Sequence, residues 1–383
     1  MLILAAILAV FVYGVIAALL GTVLPDLSAR FSLGPEREGI VALAQGLGLM
    51  VASISAGPLI DNKGKKTGLA VGLSLVAASL FTVPNVSGYV PLLGAWFALG
   101  VGGGIIVTGA NSLASDIGEK RRASVLNFLN LFFSLGGMAT PFLVANILGG
   151  DMLRMCYLAG GLTVVSLVAN LVAPIPPPTG ERGFKRSEAG ALLGRPTLFL
   201  LALLLFLYVA CEVGVWNWLV RHLSAQGMSQ ASAQNILSLG FALGLLVGRV
   251  AVAPILIKIK PEVVTLVASI LMAVTTFAML QTNDPTLAGI AVFCAGVAMA
   301  PVFPTTLAMV GDAYPRMTST AMGIVITSGW IGLVISSPVI GALAGQDPTG
   351  LRTALLVLPV LSCAMVVVNL ALRPALARER QAS

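Results

Sequence analysis

Twelve apolar runs, each about 20 residues long, follow one another along the chain, with cores at 3–24, 39–60, 68–84, 90–114, 123–148, 154–173, 197–220, 233–256, 263–281, 286–310, 319–344 and 351–372. At helical rise, each is long enough to cross a hydrocarbon layer of about 30 Å. Only 10% of the residues are charged and 57% are hydrophobic, whereas soluble domains carry about 25% charged residues. The expected fold class is therefore an all-α membrane protein of twelve transmembrane helices. The first run lacks the basic flank of a secretory signal and is too long for its apolar core, so it reads as a retained span.

A net charge of +7 would suggest nucleic acid in a soluble protein, but in a membrane chain it is read by side. With both termini cytoplasmic, seventeen of the 22 lysines and arginines fall in cytoplasmic loops, Lys63, Lys65, Lys66, Lys120, Arg121, Arg249 and Arg316 among them. Arg30, Arg37, Arg154, Arg221 and Arg352 fall on the other side. That imbalance orients the chain in the cytoplasmic (inner) membrane, with the lipid bilayer as its surroundings and no nucleic-acid partner. Cys156, Cys211, Cys294 and Cys363 sit singly in separate spans, without the spacing of a disulfide framework or zinc site. They read as small core residues, and His222, just past the seventh span, as an inert loop residue.

The one clear break is Pro174 to Pro196, "PIPPPTGERGFKRSEAGALLGRP", where prolines stop the sixth run and a basic segment follows. It divides the chain into a six-span lobe over 1–173, a cytoplasmic linker over 174–196 and a second lobe over 197–383. The halves echo each other. "ASDIGEKRRAS" follows span four and "VGDAYPRMTST" follows span ten, so that Asp116 matches Asp312 and Lys120 matches Arg316 at one offset of 196. Between spans two and three, "GPLIDNKGKK" resembles the signature loop of the major facilitator superfamily, with Gly57, Asp61, Lys65 and Lys66 in the motif positions. Gly57 permits close helix approach, Asp61 can pair at a helix end, and the two lysines can face anionic lipid heads. Together with Asp116, Arg121, Asp312 and Arg316 these form the expected gating set. The resemblance covers the whole chain and implies two lobes that rock around a central site, giving alternating access. Small-residue spacing at Gly100 and Gly104, and at Gly240, Gly244 and Gly248, predicts close helix contacts. "GVGGG" lies inside a span, which rules out a nucleotide loop.

Polar side chains are costly in lipid, so those within spans should face a partner helix or a watery space. Gln45, Asn111, Asn127, Asn130, Glu212, Asn217, Thr305, Thr306 and Thr327 are the set. Amides offer donors and acceptors to sugar hydroxyls, and Tyr13, Trp216, Phe303 and Trp330 offer faces for the C–H side of a ring. Trp218, near a span end, reads as an interfacial anchor. No arginine or lysine is expected at mid-span depth, which argues against an anionic substrate.

Glu212 is the one carboxylate well inside a span. An ionised acid at mid-bilayer costs roughly 2.5 to 3.5 kcal/mol. Proton binding, cation binding or hydrogen bonds from a hydroxyl would each offset that, and a protonated structural carboxyl bonded to a neighbouring helix is the alternative.

"YVACEVGVWNWL" (Tyr208 to Leu219), "VLNFLNLFFSLGGMATPF" (Val125 to Phe142), "GANSLAS" (Gly109 to Ser115) and "PVFPTTLA" (Pro301 to Ala308) resemble the fucose-galactose-glucose:proton symporter family and its sodium-dependent glucose transporter relatives. The resemblance implies a small neutral sugar bound between the lobes and a chain that acts as a monomer; coupling to H+ or Na+ is expected, with uncoupled transport also open. Gln45, Asn111, Asn127, Glu212 and Phe303 to Thr306 then fall where the cavity is expected. The fucose permease type carries acids in spans one and four; here span one has none before Asp26, and span four offers Val107 and Asn111. Glu212 is left as the candidate for cation coupling. The competing reading is a drug or metabolite exporter of the same fold. With no membrane histidine and no metal-ligand cluster, the sequence offers neither an enzyme active site nor a cofactor or metal site.

Overall fold

The computed structural model describes residues 2–117, 122–175, 194–282, 284–314, 318–345 and 350–382. Among the described residues the long helices are α1 (Leu2–Phe31), α2 (Pro35–Lys63), α3 (Lys65–Thr82), α4 (Tyr89–Ile117), α5 (Arg122–Asn146), α6 (Met152–Val172), α7 (Pro196–Ala225), α8 (Gln230–Asn235, Ile236–Ala242 and Leu243–Lys258), α9 (Pro261–Ala278), α10 (Pro285–Met299 and Val302–Ala313), α11 (Thr318–Ala344) and α12 (Leu351–Ala354 and Val357–Ala382), and all but α2 are both long and apolar enough over their described residues to cross a membrane. No strand occurs among the described residues. In lipid, helices satisfy every backbone polar group within one segment, which is why these apolar runs fold this way.

Local chemistry sets the helix starts. Proline occupies the first turn of α2, α7, α9 and α10, where its missing N–H costs nothing. Asp151 caps α6 by accepting from the Arg154 amide, and Asp284 caps α10 by accepting from the Thr286 and Leu287 amides. Between α2 and α3 the chain turns on one residue, Gly64, at φ 87°, in the left-handed region that favours glycine.

Several boundaries depart from the apolar runs. α1 continues to Phe31, α7 to Ala225 and the second segment of α12 to Ala382. Hydropathy ends at the lipid boundary, whereas a helix ends where its hydrogen bonds do. His222 is therefore a buried helical residue with Gln226 Nε2 at 3.1 Å, rather than a loop residue. α8 contains a π-helical stretch, Ile236–Ala242, and α10 breaks at Ala300 and Pro301; neither is visible in the pattern of apolar residues.

α1 to α6 share one apolar core, built around Leu19, Leu20, Leu73 and Trp96; α7 to α12 share another, around Tyr208, Trp218, Phe241 and Met272. Trp218 is fully buried in the second core and is not an interfacial anchor, because α7 is packed against both lobes. The predicted close contacts are present: Gly100 lies on the Gln45 backbone, Gly244 on Phe293 and Gly248 on Val297. Cys156 and Cys211 are buried, whereas Cys294 and Cys363 are exposed among outward-facing apolar side chains such as Ile290, Val360 and Val367. The halves meet along α2 with α11, α1 with α7, and α5 with α8. Residues 176–193, most of the expected linker, lie outside the described residues.

Candidate functional site at the lobe junction

α7 runs through the junction and carries Tyr208, Cys211, Glu212, Trp216 and Asn217. Ala18, Leu49, Tyr13, Val107 and Met138 from the first half pack against the second half's core around it. Glu212 is half-buried, and its Oε1 is buried with no hydrogen-bond partner. The Tyr208 hydroxyl and the Trp216 indole N–H act on this carboxylate, yet neither has a partner in ordinary hydrogen-bond geometry. Buried polar groups are almost always paired. The junction thus holds a cluster of one carboxylate and two donors, the Tyr208 hydroxyl and the Trp216 indole N–H, that act on one another without closing ordinary hydrogen bonds.

Aromatic rings frame this cluster. Trp216 meets Phe241 of the α8 π segment edge-on at 5.0 Å, and Tyr208 meets Phe303 of α10 at 6.5 Å. Tyr13 of α1, 5.4 Å from the Phe133 ring of α5, lies within electrostatic reach of Glu212. Trp216 touches the opposite lobe twice, with its ring beside Gly137 of α5 and its backbone oxygen against Gly21 of α1.

Other predicted residues scatter. Gln45 of α2 is half-buried, with Nε2 3.5 Å from the Ile16 carbonyl. Asn111 is exposed and donates to Val107 of its own helix at 2.9 Å. Asn217 donates to Ser337 Oγ of α11 at 2.9 Å, an interhelical bond within one lobe. Thr306 is buried and donates to the Val302 carbonyl, and Trp330 is buried at 9% exposure. The Asn130 carbonyl accepts from Arg249 at 2.8 Å. The Asn127 side chain lies outside the described residues.

Of the expected gating set, the side chains of Gly57, Asp61 and Asp116, and all of Arg121 and Arg316, lie outside the described residues. Lys66 Nζ donates to the Ala173 carbonyl at 3.2 Å, and Asn170 Nδ2 donates to the Lys66 carbonyl at 3.1 Å. Lys66 thus ties the start of α3 to the end of α6. Lys65 is half-buried and Asp312 is exposed.

Two features were not anticipated. Arg249, counted with the cytoplasmic loops, lies inside α8 and reaches across the junction: its Nη1 donates to the Asn130 carbonyl at 2.8 Å and to Ser134 Oγ at 2.6 Å, with the guanidinium 5.5 Å from the Phe133 ring. The expectation of no cation at depth is thereby corrected; the tally by side had counted Arg249 with the cytoplasmic loops although it lies within the eighth apolar run, 233–256. The second feature is a polar seam at the end of the molecule carrying the α1–α2 and α7–α8 turns. Glu38 of α2, whose side chain is fully buried, forms an ion pair with Arg221 of α7 at 3.2 Å and accepts from Ser28 at 2.5 Å. Beside it Gln230 donates to Asp26 at 3.2 Å, Gln234 to the Thr22 carbonyl at 3.1 Å, Asn146 to Asn235 at 2.6 Å and Ser238 to the Met138 carbonyl at 2.7 Å. Toward the opposite end Asn111, Phe128, Ala308, Asp312 and Gly323 are exposed. Among the described residues, the polar contacts named above stitch the junction at the end carrying the α1–α2 and α7–α8 turns.

Removing one partner of a buried ion pair strands the other. Glu38→Gln is expected to raise maleimide labelling of a cysteine placed at Gln230 from the stitched side by at least tenfold, a shift of about 1.4 kcal/mol. Unchanged labelling would show that the pair does not hold this end closed.

Comparisons with known proteins follow the same line. The sequence profile of the Major Facilitator Superfamily matches residues 6–292 and 223–383. A glucose/galactose transporter of Brucella abortus biovar 1 (strain 9-941) is 26% identical over 377 residues, covering 93% of this chain and 90% of that protein. Among solved structures, the E. coli fucose:proton symporter superposes with a TM-score of 0.69 at 18% identity, over 97% of this chain and 98% of that one. The nucleoside transporter NupG superposes with a TM-score of 0.82 at 15% identity, over 97% and 100%. At such identities the structural likeness establishes the fold alone.

Proposed function

Since the chain belongs to the major facilitator superfamily, and is thus a membrane transporter rather than an enzyme, we propose that it moves a small neutral hexose across the cytoplasmic membrane by alternating access, coupled to H+ or Na+. The observation that carries this is the unpaired Glu212 carboxylate with Tyr208 and Trp216 at the lobe junction. A carboxylate accepts from sugar hydroxyls or holds a proton or cation, and aromatic faces suit the C–H side of a pyranose. Arg249 offsets the charge of Glu212, so the site as a whole favours a neutral ligand. The glucose/galactose specificity named for the Brucella relative supports the same class.

With the basic loops in the cytoplasm, the stitched end faces outward, which supports an inward-facing state. Release to the cytoplasm then requires no further separation of the outer seam, and resetting the carrier means breaking Glu38–Arg221 and its neighbours. Both lobes and the site come from a single chain, which supports a monomeric unit.

The test is counterflow of labelled D-glucose into proteoliposomes preloaded with unlabelled glucose, galactose or fucose. A transient overshoot is expected, without any imposed ion gradient. Its absence from folded protein would remove the hexose reading, and dye-efflux protection would then favour a drug or metabolite exporter.

A further inference from the structure

Arg249 and Glu212 both belong to the second lobe, and they are held in different ways. Nη1 of Arg249 is spent on two acceptors of the first lobe, the Asn130 carbonyl and Ser134 Oγ, while its Nε is buried without a hydrogen-bond partner. Glu212 Oε1 is likewise buried and unpartnered, and Arg249 acts on Glu212 electrostatically. Trp216, one helical turn beyond Glu212 on α7, packs on Gly137 of α5, and Phe133, one turn before Gly137, lies 5.5 Å from the Arg249 guanidinium; the spare donor and the spare acceptor therefore sit at one level of the junction, while the donor's other arm grips the opposite lobe. Either group left uncompensated in a medium of low dielectric carries a large desolvation cost. An arginine this deep would ordinarily extend toward the headgroups; this one is turned inward onto α5.

We propose that Arg249 is a positioning residue that ties the charge on Glu212 to the contact between the lobes. A charged Glu212 competes with Asn130 and Ser134 for the one guanidinium and draws it back into its own lobe, which frees α5 from α8 at this level. A Glu212 neutralised by a bound proton or cation does not compete, and Arg249 stays on α5. The occupancy of one carboxylate is in this way converted into the presence or absence of a cross-lobe bond, the differential interaction that any ligand-driven shift between two states requires. The inference rests on the reading of Glu212 as the coupling carboxylate.

The test uses no sugar. Spin labels are placed by Phe128→Cys on α5 and Lys258→Cys on α8, two exposed positions on opposite lobes, in protein whose four native cysteines are replaced by alanine. Their separation is measured by double electron–electron resonance in lipid nanodiscs. Glu212→Gln, which mimics the neutral carboxyl, is expected to shift the distribution to shorter distances. In an Arg249→Gln background the same replacement is expected to produce no shift, and in an Arg249→Lys background, where the charge is kept, the shift is expected to return. A shift that persists with Arg249→Gln, fails with Arg249→Lys, or never appears with Arg249 intact would overturn the proposal. A failure of hexose counterflow would remove the sugar reading and leave this result standing.

Discussion

Proteoliposomes carrying Glu212→Gln are expected to exchange labelled hexose within a few-fold of the parent protein and to lose gradient-driven accumulation, with the inside-to-outside ratio falling to one. The replacement is nearly isosteric, so the contacts of α7 with Phe241, Phe303 and the α5 backbone stay in place. Hydrogen bonding to a sugar hydroxyl also survives, because an amide carbonyl accepts as a carboxylate does. Only the ability to change charge is removed. A carrier without a titrating or cation-binding group still returns with sugar on both legs, but nothing then links sugar movement to the ion gradient. Accumulation that persists in this variant would refute coupling through Glu212. Loss of exchange as well, in protein with an unchanged melting temperature, would make Glu212 a sugar ligand first.

The second large effect is expected at Gly21. Its α-carbon lies against the Trp216 backbone oxygen across the lobe junction, and a Cβ placed there would overlap that oxygen. The obstruction is backbone, so it cannot turn aside as a side-chain tip would. Gly21→Leu should therefore penalise the outer-closed state alone. Overpacking of this kind costs about 1 to 3 kcal/mol; at the upper end this biases the equilibrium about 100-fold toward the outward-open state, at 1.4 kcal/mol per tenfold. Counterflow is expected to fall by about that factor while labelling from the outside rises. Gly136→Leu supplies the contrast. It presses on Phe11 and Val15 inside the first lobe, where no open state relieves the clash, so loss of folded protein is expected. Equal thermal destabilisation in both variants would show that Gly21 serves packing rather than the conformational cycle.

The difference between these glycines bears on what a linear sequence conveys. Apolar runs, sparse charge and the side bias of lysine and arginine disclosed a twelve-span helical chain, because the bilayer acts on every residue independently and leaves a pattern readable locally. Glu212 stands out for the same reason: a carboxylate in an apolar run is conspicuous whatever surrounds it. The facilitator signature between α2 and α3 added the family.

Arg249 escaped notice although it lies in an equally apolar stretch, since near a span end an arginine that snorkels to water and one that turns inward have the same sequence. Only the placement of α5 beside α8 supplies the Asn130 and Ser134 acceptors that decide between them. Asn217, a candidate sugar ligand by composition, shows the same dependence, since only the proximity of α11 supplies the Ser337 hydroxyl that its Nδ2 meets. Glu38 and Arg221 are 183 positions apart in the chain and read separately as ordinary helix-end charges; they become a buried pair only because the lobes close on that side. The sequence by itself determined which segments enter the lipid and which polar residues enter with them. Which of those residues face one another, and so form a site, a gate or a packing bond, was decided by the tertiary structure, because pairing energies depend on distances between helices that no local pattern encodes.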